Sequence, residues 1–513
     1  MPRIVLLTLA LIVAGCTATP TPPHHCDLWI RGGDVLDGSG APQHRADILI
    51  DDGRIVYIGH VPTTNAAAVI DATNLCVAPG FIDPHAHGDP RRTPGFANFT
   101  CMGVTSICMG QDGTSPGGID FERWQQEVER GRFTVNVAPL IGHGTVRRLA
   151  GVGMSDAPTD EGIEAMVELV AAAMHAGAFG MSTGLEYEPG RFATPDELLR
   201  IARPVAAHDG VVMSHIRSED EDRVLASIDE LLTQCRDTGC RAHVSHVKVV
   251  YGRDTRRANA VLSRLADARA TGMQVTADLY PYAASYTGIG IVFPPWARPP
   301  NDYAEILRTR RDELAAYLRQ RVRKRNGPDA IVIGDGQWAG RSLASIAAEL
   351  ERPFEDVLID ELGPRGPAAA HFVMSEEVVR ALLLADVVVV GSDGSPTMRH
   401  PRGYGTFAKV VREFVVERQL LTLEQAVHKM TGATAALLGL DRGASPRGLL
   451  RPGFAADIVC FDPQRVQDRA TFSSPFERAT GFEFVLVNGV QVVANGEPTE
   501  HRPGRLLRHA AAP

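Results

Sequence analysis

Short apolar segments separated by polar turns lie near both ends of the chain. They cover residues 27–30, 46–50 and 55–58 near the N-terminus and 457–461, 484–488 and 490–493 near the C-terminus. The sequence Asp-Asp-Gly-Arg at 51–54 and the pair Asn488-Gly489 are typical of tight β-hairpin turns. Neither end supplies enough strands to bury a face alone, so we expect residues 26–79 and 441–513 to form one small β-sandwich.

Between these ends, apolar runs typical of buried strands alternate with helical patterns such as 161–176, 196–207 and 224–235. Besides the strand that leads to His85, the runs cover residues 104–109, 134–141, 178–183, 211–215, 242–246, 274–279 and 387–391. Eight alternating strands predict an α/β fold, a (β/α)8 barrel over residues 80–440. A doubly wound open sheet competes with it, but the placement of the polar residues favours the barrel. Residues 286–385 form a long insertion before the last strand, a candidate lid.

The first 16 residues have the features of a targeting segment. Arg3 precedes an apolar run from Ile4 to Val13, which is too short to span a membrane. The run ends in Ala-Gly-Cys, which resembles a bacterial lipoprotein signal with Cys16 as the lipidated residue. An ordinary signal peptide is the alternative. With 17–25 as a proline-rich tether, we expect a periplasm-facing lipoprotein that contacts the membrane only through its anchor.

The composition and net charge limit the classes of function that fit the chain. Of 513 residues, 44% are hydrophobic and 22% are charged, and the formal net charge is −9, as in an ordinary globular enzyme. Nothing in this balance indicates nucleic acid as a partner. The eight cysteines form no metal-spaced cluster, and lipidation of Cys16 would leave an odd number. A disulfide between Cys235 and Cys240 stays open at this point.

Histidines and one aspartate stand at the ends of four predicted strands. The first strand leads to His85 and His87, the fifth to His215, the sixth to His246 and the last to Asp393. In a strand, positions i and i+2 share a face, so His85 and His87 can point into one cavity. The chemistry of a (β/α)8 barrel lies at the carboxyl ends of its strands. The set therefore predicts a hydrolytic metal centre.

These residues carry a family resemblance that covers nearly all of the chain after the targeting segment. The chain is similar to the amidohydrolase superfamily, and within it to the N-acyl-D-amino-acid deacylases, or D-aminoacylases. Besides the metal motifs, the matching segments are 103–105 (GVT), 180–185 (GMSTGL), 278–282 (DLYPY), 400–407 (HPRGYGTF) and 450–459 (LRPGFAADIV). The resemblance implies one or two divalent metal ions, in the first place zinc, and hydrolysis of the N-acyl amide of a D-amino acid.

One departure from the family pattern concerns the metal ligands. These deacylases place a metal-binding cysteine in a Gly-Asn-Cys-Gly turn, where this chain has Asp112 in Gly-Gln-Asp-Gly, and Cys108 lies four residues too early. Other amidohydrolases use a carboxylated lysine after the fourth strand, but residues 177–190 contain no lysine and do contain Glu186. We treat Asp112 and Glu186 as rival bridging ligands and favour Glu186 for its longer reach. Oxygen ligands in place of sulfur also favour metals other than zinc.

For the chemical step we expect a metal-activated water, with Asp393 as the base that takes a proton and passes it to the leaving amine. Asp393 as an additional metal ligand is compatible with that role. The free carboxylate of an N-acyl amino acid also needs cations around it. Arg217 and Lys248 each follow a ligand histidine by two residues, and Arg402 follows Asp393 in a Gly/Pro-rich loop.

By resemblance, Lys248, Tyr280 and Arg402 match positions that contact substrate, with Tyr282 and His143 as further candidates. For Arg217 an ion pair with Glu219 or Asp220 is an equal alternative. The alternative for the two tyrosines is packing in the core with their hydroxyls at the rim. The alternative for His143 is a hydrogen-bonded loop residue.

Two other functions are compatible with the sequence. The same metal residues would serve another amidohydrolase, such as a cyclic-amide hydrolase or a dipeptidase. A lipid-anchored binding protein that has lost the chemistry is the second possibility, and the complete metal set argues against it.

Overall fold

The computed structural model describes residues 21–118 and 120–509. The predicted signal peptide with Cys16 and the first residues of the tether lie outside this part of the chain. Within it, no helix combines the length and apolar character needed to cross a membrane.

Five strands lie at the N-terminal end of the described chain; the first three contain the predicted apolar segments, and the other two were not predicted. They are β1 (His25–Val35), β2 (His44–Asp51), β3 (Arg54–Gly59), β4 (Asn65–Asp71) and β5 (Cys76–Pro79). The predicted hairpin joins β2 to β3, with Asp51 opposite Arg54. Asp52 and Gly53 have φ values of 46° and 69°, the backbone that a two-residue hairpin turn requires.

The next strands run parallel to one another and form most of the barrel. They are β6 (Phe81–Asp83), β7 (Val104–Met109), β8 (Asn136–Pro139), β9 (Ile141–Gly142), β10 (Gly180–Gly184), β11 (Val211–His215), β12 (Arg241–Val244) and β13 (Val275–Leu279). The third predicted strand is interrupted at Leu140, so that β8 pairs with β7 while β9 pairs with β10.

The insertion folds around a hydrophobic core of its own. Its three antiparallel strands are β14 (Ser285–Gly288), β15 (Ile331–Ile333) and β16 (Ala368–His371). Apolar side chains between them and the surrounding helices, such as Phe293, Leu318 and Leu343, are buried in a separate cluster. The insertion is therefore a packed subdomain rather than a long loop.

The last barrel strand, β17 (Val388–Val390), pairs with β13. Beyond it, Gly394 forms a parallel bridge with Ala86, and the Asp393 amide donates to the carbonyl of His85 at 2.8 Å. The carboxylate of Asp83 accepts hydrogen bonds from the backbone amides of His85 and Ser392 at 3.1 and 3.0 Å. The eighth strand position is thus joined to the first, which confirms the barrel and excludes the open sheet.

Four C-terminal strands complete the β-rich domain: β18 (Ile458–Phe461), β19 (Phe482–Val487), β20 (Val490–Ala494) and β21 (Glu497–Pro498). Antiparallel pairing of β18 with β5 joins the two chain ends, as predicted. All nine strands belong to one hydrogen-bonded sheet, ordered β21-β20-β19-β18-β5-β1-β2-β3, with β4 beside β1. The turn at Asn488 and Gly489 joins β19 to β20 with φ values of 51° and 82°.

Helices fill the intervals between the strands, and Thr159 and Thr194 cap two of them by accepting hydrogen bonds from backbone amides of the first turn. In the described chain they are α1 (Ala97–Thr100), α2 (Phe121–Glu129), α3 (His143–Leu149), α4 (Asp160–His175), α5 (Pro195–Ala207), α6 (Val224–Thr238), α7 (Thr255–Ala270), α8 (Tyr303–Thr309), α9 (Arg311–Lys324), α10 (Leu343–Glu349), α11 (Phe354–Val357), α12 (Glu376–Leu384), α13 (Arg402–Lys409), α14 (Leu423–Met430) and α15 (Gly432–Leu438).

The seven described cysteines are buried free thiols. Cys235 and Cys240 face different backbone carbonyls, those of Arg241 and Ala202, at 3.9 and 3.1 Å. The disulfide that the sequence left open is therefore absent between these two residues.

Candidate metal centre

His85 and His87 lie just beyond the end of β6, one on each side of Ala86. The bridge from Ala86 to Gly394 keeps this segment extended, so both rings face the barrel mouth, with their centroids 5.4 Å apart. The pair is thus oriented as predicted, although the strand itself ends before it.

The remaining candidate ligands also stand at carboxyl ends of strands. His215 is the last residue of β11, and His246 lies two residues after β12. Asp112 and Asp393 each lie three residues after a strand, β7 and β17 respectively. Asp112, His246 and Asp393 have positive φ values of 53°, 35° and 48°. Such backbone is unfavourable for residues other than glycine and is concentrated at functional sites.

One group of four side chains surrounds a point near the barrel axis: His85, His87, Asp112 and Asp393. His87 Nε2 lies 3.0 Å from Asp393 Oδ1 and 3.5 Å from Asp112 Oδ2. His85 Nε2 lies 3.6 Å from Asp112 Oδ1 and 3.7 Å from Asp393 Oδ1. Zinc bonds of about 2.0–2.2 Å would place neighbouring ligand atoms about 3–4 Å apart, which agrees with these separations.

A second group shares Asp112 with the first and adds His215 and His246. Asp112 Oδ1 lies 3.2 Å from His246 Nε2 and 3.9 Å from His215 Nδ1. Among the histidines of these two groups, Glu186 approaches His215, at the opposite ring nitrogen, 3.3 Å from Nε2. Asp112 is therefore the carboxylate that the two groups share, and the structure does not place Glu186, the favoured candidate, in that central position. Glu186 remains beside the site, in a third group with His215 and Glu219.

Two observations indicate that a cation fits here. His85 is fully buried, and its Nε2 atom has no hydrogen-bond partner although two carboxylates surround it. His215 Nδ1 and His246 Nε2 face each other at 2.9 Å, where a hydrogen bond requires one of them to be protonated. A divalent metal would use the lone pairs of all these nitrogens and balance the carboxylates.

Asp278, the penultimate residue of β13, supports the ligands from behind. Its Oδ2 atom lies 3.3 Å from His85 Nδ1 and accepts a hydrogen bond from His243 Nε2 at 2.7 Å. Its Oδ1 atom accepts from the backbone amide of His246 at 2.9 Å. A carboxylate behind a ligand histidine fixes the ring so that the other nitrogen points to the metal.

The ionisable groups of the centre shift one another's pKa values towards the charged forms. Burial would lower the pKa of His85, but Asp278 and Asp112 raise it well above the usual value. Burial would raise the pKa of Asp112, whereas His246 and His85 hold it well below the usual range. Burial and Lys248 oppose protonation of His246, yet the nearby carboxylates raise its pKa to about 9. In the absence of metal, protons on the histidines therefore balance the carboxylates.

Lys248 and Glu219 form a buried pair beside His246. Lys248 Nζ donates to Glu219 Oε1 at 2.7 Å and to His246 Nδ1 at 2.8 Å. Glu219 Oε1 is also 3.1 Å from His246 Nδ1, so this carboxylate can accept the Nδ1 proton when Nε2 serves a metal. Burial would raise the pKa of Glu219, but Lys248 and the histidines hold it far below the usual range.

Arg402 is a second buried cation of the centre. Its Nη1 atom lies 2.9 Å from Asp393 Oδ2. Burial would raise the pKa of Asp393, whereas Arg402 and His246 hold it far below the usual range. Tyr280 lies behind both cations, its ring 4.6 Å from the Arg402 guanidinium carbon and 5.8 Å from Lys248 Nζ. It thus supports the cations by cation–π contact and does not line the cavity that contains them.

This cavity, the catalytic cavity, has a volume of about 350 Å³ and is lined by every residue of the first two metal groups except His85, together with Lys248 and Arg402. The insertion supplies one wall, through Tyr286, Thr287 and Arg325. Tyr187 lies over His215 with 4.4 Å between ring centroids, and its hydroxyl accepts a hydrogen bond from Thr287 at 3.2 Å. The insertion therefore forms part of the cavity wall beside the metal centre.

Besides Tyr280, three predicted substrate contacts lie away from this cavity. Arg217 forms an ion pair with Glu230 of α6 at 2.9 Å, instead of pairing with Glu219 or Asp220, and lines a neighbouring pocket. Tyr282 is buried beside His400 and Lys409.

His143 is also fully buried and lies 2.6 Å from Glu197 through Nε2. These three side chains are held by other contacts of the protein and do not line the catalytic cavity.

Sequence reasoning missed Asp278, Glu219 and Tyr187. Asp278 could have been found from the sequence, because this acidic residue is the penultimate residue of the seventh predicted strand, close to the barrel mouth. Glu219 and Tyr187 lie in loops, where no spacing rule fixes the direction of a side chain.

Comparison with known proteins agrees with this geometry. A family model described as the amidohydrolase family matches residues 68–493. The N-acyl-D-glutamate deacylase of Alcaligenes xylosoxydans xylosoxydans is 37% identical over 510 residues, 95% of this chain and 97% of that protein. The D-aminoacylase of the same organism is 34% identical and covers 95% of this chain and 98% of its own length.

A solved structure extends the comparison to three dimensions. The crystal structure of the N-acyl-D-glutamate deacylase from Bordetella bronchiseptica, complexed with zinc and a phosphonate inhibitor, has 35% sequence identity and a TM-score of 0.82. It covers 94% of this chain and 100% of the other. The family model and the relatives each span most of the sequence, and the chain belongs to the amidohydrolase family.

Proposed function

We propose that this protein is a metal-dependent deacylase that hydrolyses the N-acyl amide bond of N-acyl-D-amino acids. The observation that carries the proposal is the presence of a metal-binding cluster and two buried cations, Lys248 and Arg402, in one cavity. An N-acyl amino acid has an amide to be hydrolysed and a carboxylate to be neutralised, and the cavity provides for both. The preference for the D enantiomer is inferred from the relatives that cleave N-acyl-D-amino acids.

His85, His87, His215, His246, Asp112 and Asp393 would hold the metal. When bound, a divalent metal acts as a Lewis acid towards the amide carbonyl and lowers the pKa of water. Asp393 remains ionised at neutral pH, because Arg402 and His246 outweigh its burial. Its carboxylate therefore accepts a proton from the attacking water and returns it to the departing amine. Lys248 and Arg402 orient the substrate through its carboxylate, and the insertion limits access of bulk water.

The test is a chiral substrate panel on zinc-loaded protein: N-acetyl-D-amino acids, their L enantiomers, and the cyclic substrates hydantoin and dihydrouracil. We expect release of free D-amino acid and little turnover of the other two classes. Activity on cyclic amides without activity on N-acyl-D-amino acids would contradict the proposal. The two buried cations favour the linear substrate, because a simple cyclic amide has no free carboxylate to pair with them.

We further propose that Cys16 anchors the protein to the bacterial cell envelope, facing the periplasm. The support is the sequence alone, namely the apolar run that ends in Ala-Gly-Cys and the proline-rich segment after it. A Cys16→Ala variant of the full chain should move from the membrane fraction to the soluble fraction of a bacterial host. If wild type and variant distribute alike, the anchor is refuted and the enzymatic proposal is unaffected.

A further inference from the structure

Arg325 is a buried cation that lines the catalytic cavity from the side of the insertion. It follows the last residue of α9, and only 3% of its surface is exposed. In the described chain, no carboxylate lies within ion-pairing distance of its guanidinium group. Its Nη1 atom donates to the hydroxyl of Tyr251 at 3.3 Å, and its buried Nε atom has no partner.

The surroundings of Arg325 add positive charge instead of balancing it. Arg321, one turn earlier on α9, pairs with Asp220 at 3.1 Å, and Arg223 uses the same carboxylate at 3.2 Å. His371 stays neutral, because burial and then the charge of Arg325 hold its pKa well below the usual value. This wall of the cavity therefore carries an excess of positive charge.

The other two buried cations of the cavity differ from Arg325, because each of them has a carboxylate partner. Lys248 has Glu219 at 2.7 Å, and Arg402 has Asp393 at 2.9 Å. Removing a charge from water without a partner is strongly unfavourable, so a buried cation without a counterion in the protein points to an anion supplied by a ligand. The planar guanidinium matches a carboxylate, which can accept two parallel hydrogen bonds from it.

We propose that Arg325 binds a second carboxylate of the substrate, in addition to the α-carboxylate that faces Lys248 and Arg402. The inference rests on the proposed deacylase function and specifies its substrate class. The second carboxylate comes either from an acidic side chain of the D-amino acid or from a dicarboxylic acyl group. The segment after Lys248 continues along the cavity wall to Val250 and then to Tyr251, the partner of Arg325. Arg325 therefore lies on the side of the amino-acid moiety, which favours the acidic side chain.

The experiment measures kcat and KM of the zinc-loaded enzyme on two matched substrate pairs. N-acetyl-D-glutamate against N-acetyl-D-glutamine tests the side chain, and N-succinyl-D-leucine against N-acetyl-D-leucine tests the acyl group. The variants are Arg325→Met and, as a matched control, Arg323→Met on the exposed face of α9. We expect wild type to prefer D-glutamate and Arg325→Met to lose about tenfold or more in kcat/KM on it, mainly through KM. Activity of Arg325→Met on D-glutamine and both activities of Arg323→Met should stay within about twofold, because neither involves a pair with Arg325.

The outcomes separate this inference from the proposed function. A preference for succinyl over acetyl, lost in Arg325→Met, would support the inference with the acyl group as the source. Equal losses on charged and neutral substrates would show a structural role and overturn it. Wild-type activity without preference for a second carboxylate would also overturn it and leave the deacylase function intact. Failure to cleave any of the four substrates would refute the function itself.

If Arg325→Met does not fold, Arg325→Lys is assayed in its place. Lysine keeps the charge but not the two parallel donors, so the preference should fall while activity on N-acetyl-D-glutamine is retained. An unchanged preference in Arg325→Lys together with loss of the fold in Arg325→Met would overturn the inference.

Discussion

Replacement of Asp278 by asparagine tests whether the carboxylate behind the ligands organises the metal centre. The aspartate accepts from three N–H groups: His85 Nδ1, His243 Nε2 and the backbone amide of His246. Asparagine has a single acceptor oxygen, and its NH2 group would face at least one of these donors. If the NH2 group replaces Oδ2, His85 is driven to the tautomer whose Nε2 carries a proton and cannot bind metal.

The expected magnitude follows from these contacts. One unpaired buried donor costs about 1–3 kcal/mol of folding free energy, and loss of the buried charge itself brings the effect towards about 3–5 kcal/mol. Loss of an outer partner of a ligand histidine weakens metal binding about 10- to 100-fold. That weakening corresponds to about 1.4–2.7 kcal/mol of binding free energy.

The assay is a competition titration of zinc against a chromophoric chelator, with thermal unfolding measured on the same samples. Asp457→Asn is the matched control. Asp457 is also buried and accepts from the Asn488 amide at 2.7 Å, from Asn136 Nδ2 at 3.1 Å and from Arg447, but it lies where the barrel meets the β-rich domain. Both variants should unfold at lower temperature, and only Asp278→Asn should bind zinc more weakly. Wild-type zinc affinity in Asp278→Asn would refute the reasoning.

Three further predictions concern the centre itself. Asp393→Asn should lower kcat about 10²- to 10⁴-fold, and full activity in a steady-state assay would exclude Asp393 as the base. Asp112→Asn should reduce bound metal, measured by atomic emission, more than Glu186→Gln does, because Asp112 contacts both metal groups; equal losses would contradict this. The pKa of His246, raised to about 9 without metal, makes its stabilising contribution complete below about pH 6.5 and lost as pH rises through 9. The Tm of metal-free protein should therefore fall over that window while zinc affinity rises; a flat Tm with pH-independent affinity would be incompatible with the shift.

The fold and most of the metal centre could be predicted from the sequence because both follow from periodicity. Buried strands and helices alternate eight times, and a closed barrel brings the strand ends to one mouth. His85, His87, His215, His246 and Asp393 stand at or within four residues of those ends, so closure of the barrel brings them to the same mouth.

The structure departs from the sequence-based expectations at residues that lie beyond the end of a strand. Arg217 was expected to share a face with His215, but β11 ends at His215, so strand alternation does not extend to Arg217. Its guanidinium turns instead to Glu230. Glu186 was preferred over Asp112 for its reach, yet the left-handed backbone at Asp112 brings the shorter side chain to the centre. Loop conformation, which periodicity does not specify, decided both cases.

The pairing of β5 with β18 has a consequence for biosynthesis. The ribosome makes Cys76 to Pro79 nearly 400 residues before their partners Ile458 to Phe461, so the N-terminal strands emerge long before the β-rich domain can close. The metal ligands are likewise spread from His85 to Asp393, so a nascent chain cannot assemble the whole set until the last barrel strand has been made. Completion of the metal centre is thus a late step in folding, in whichever compartment folding finishes.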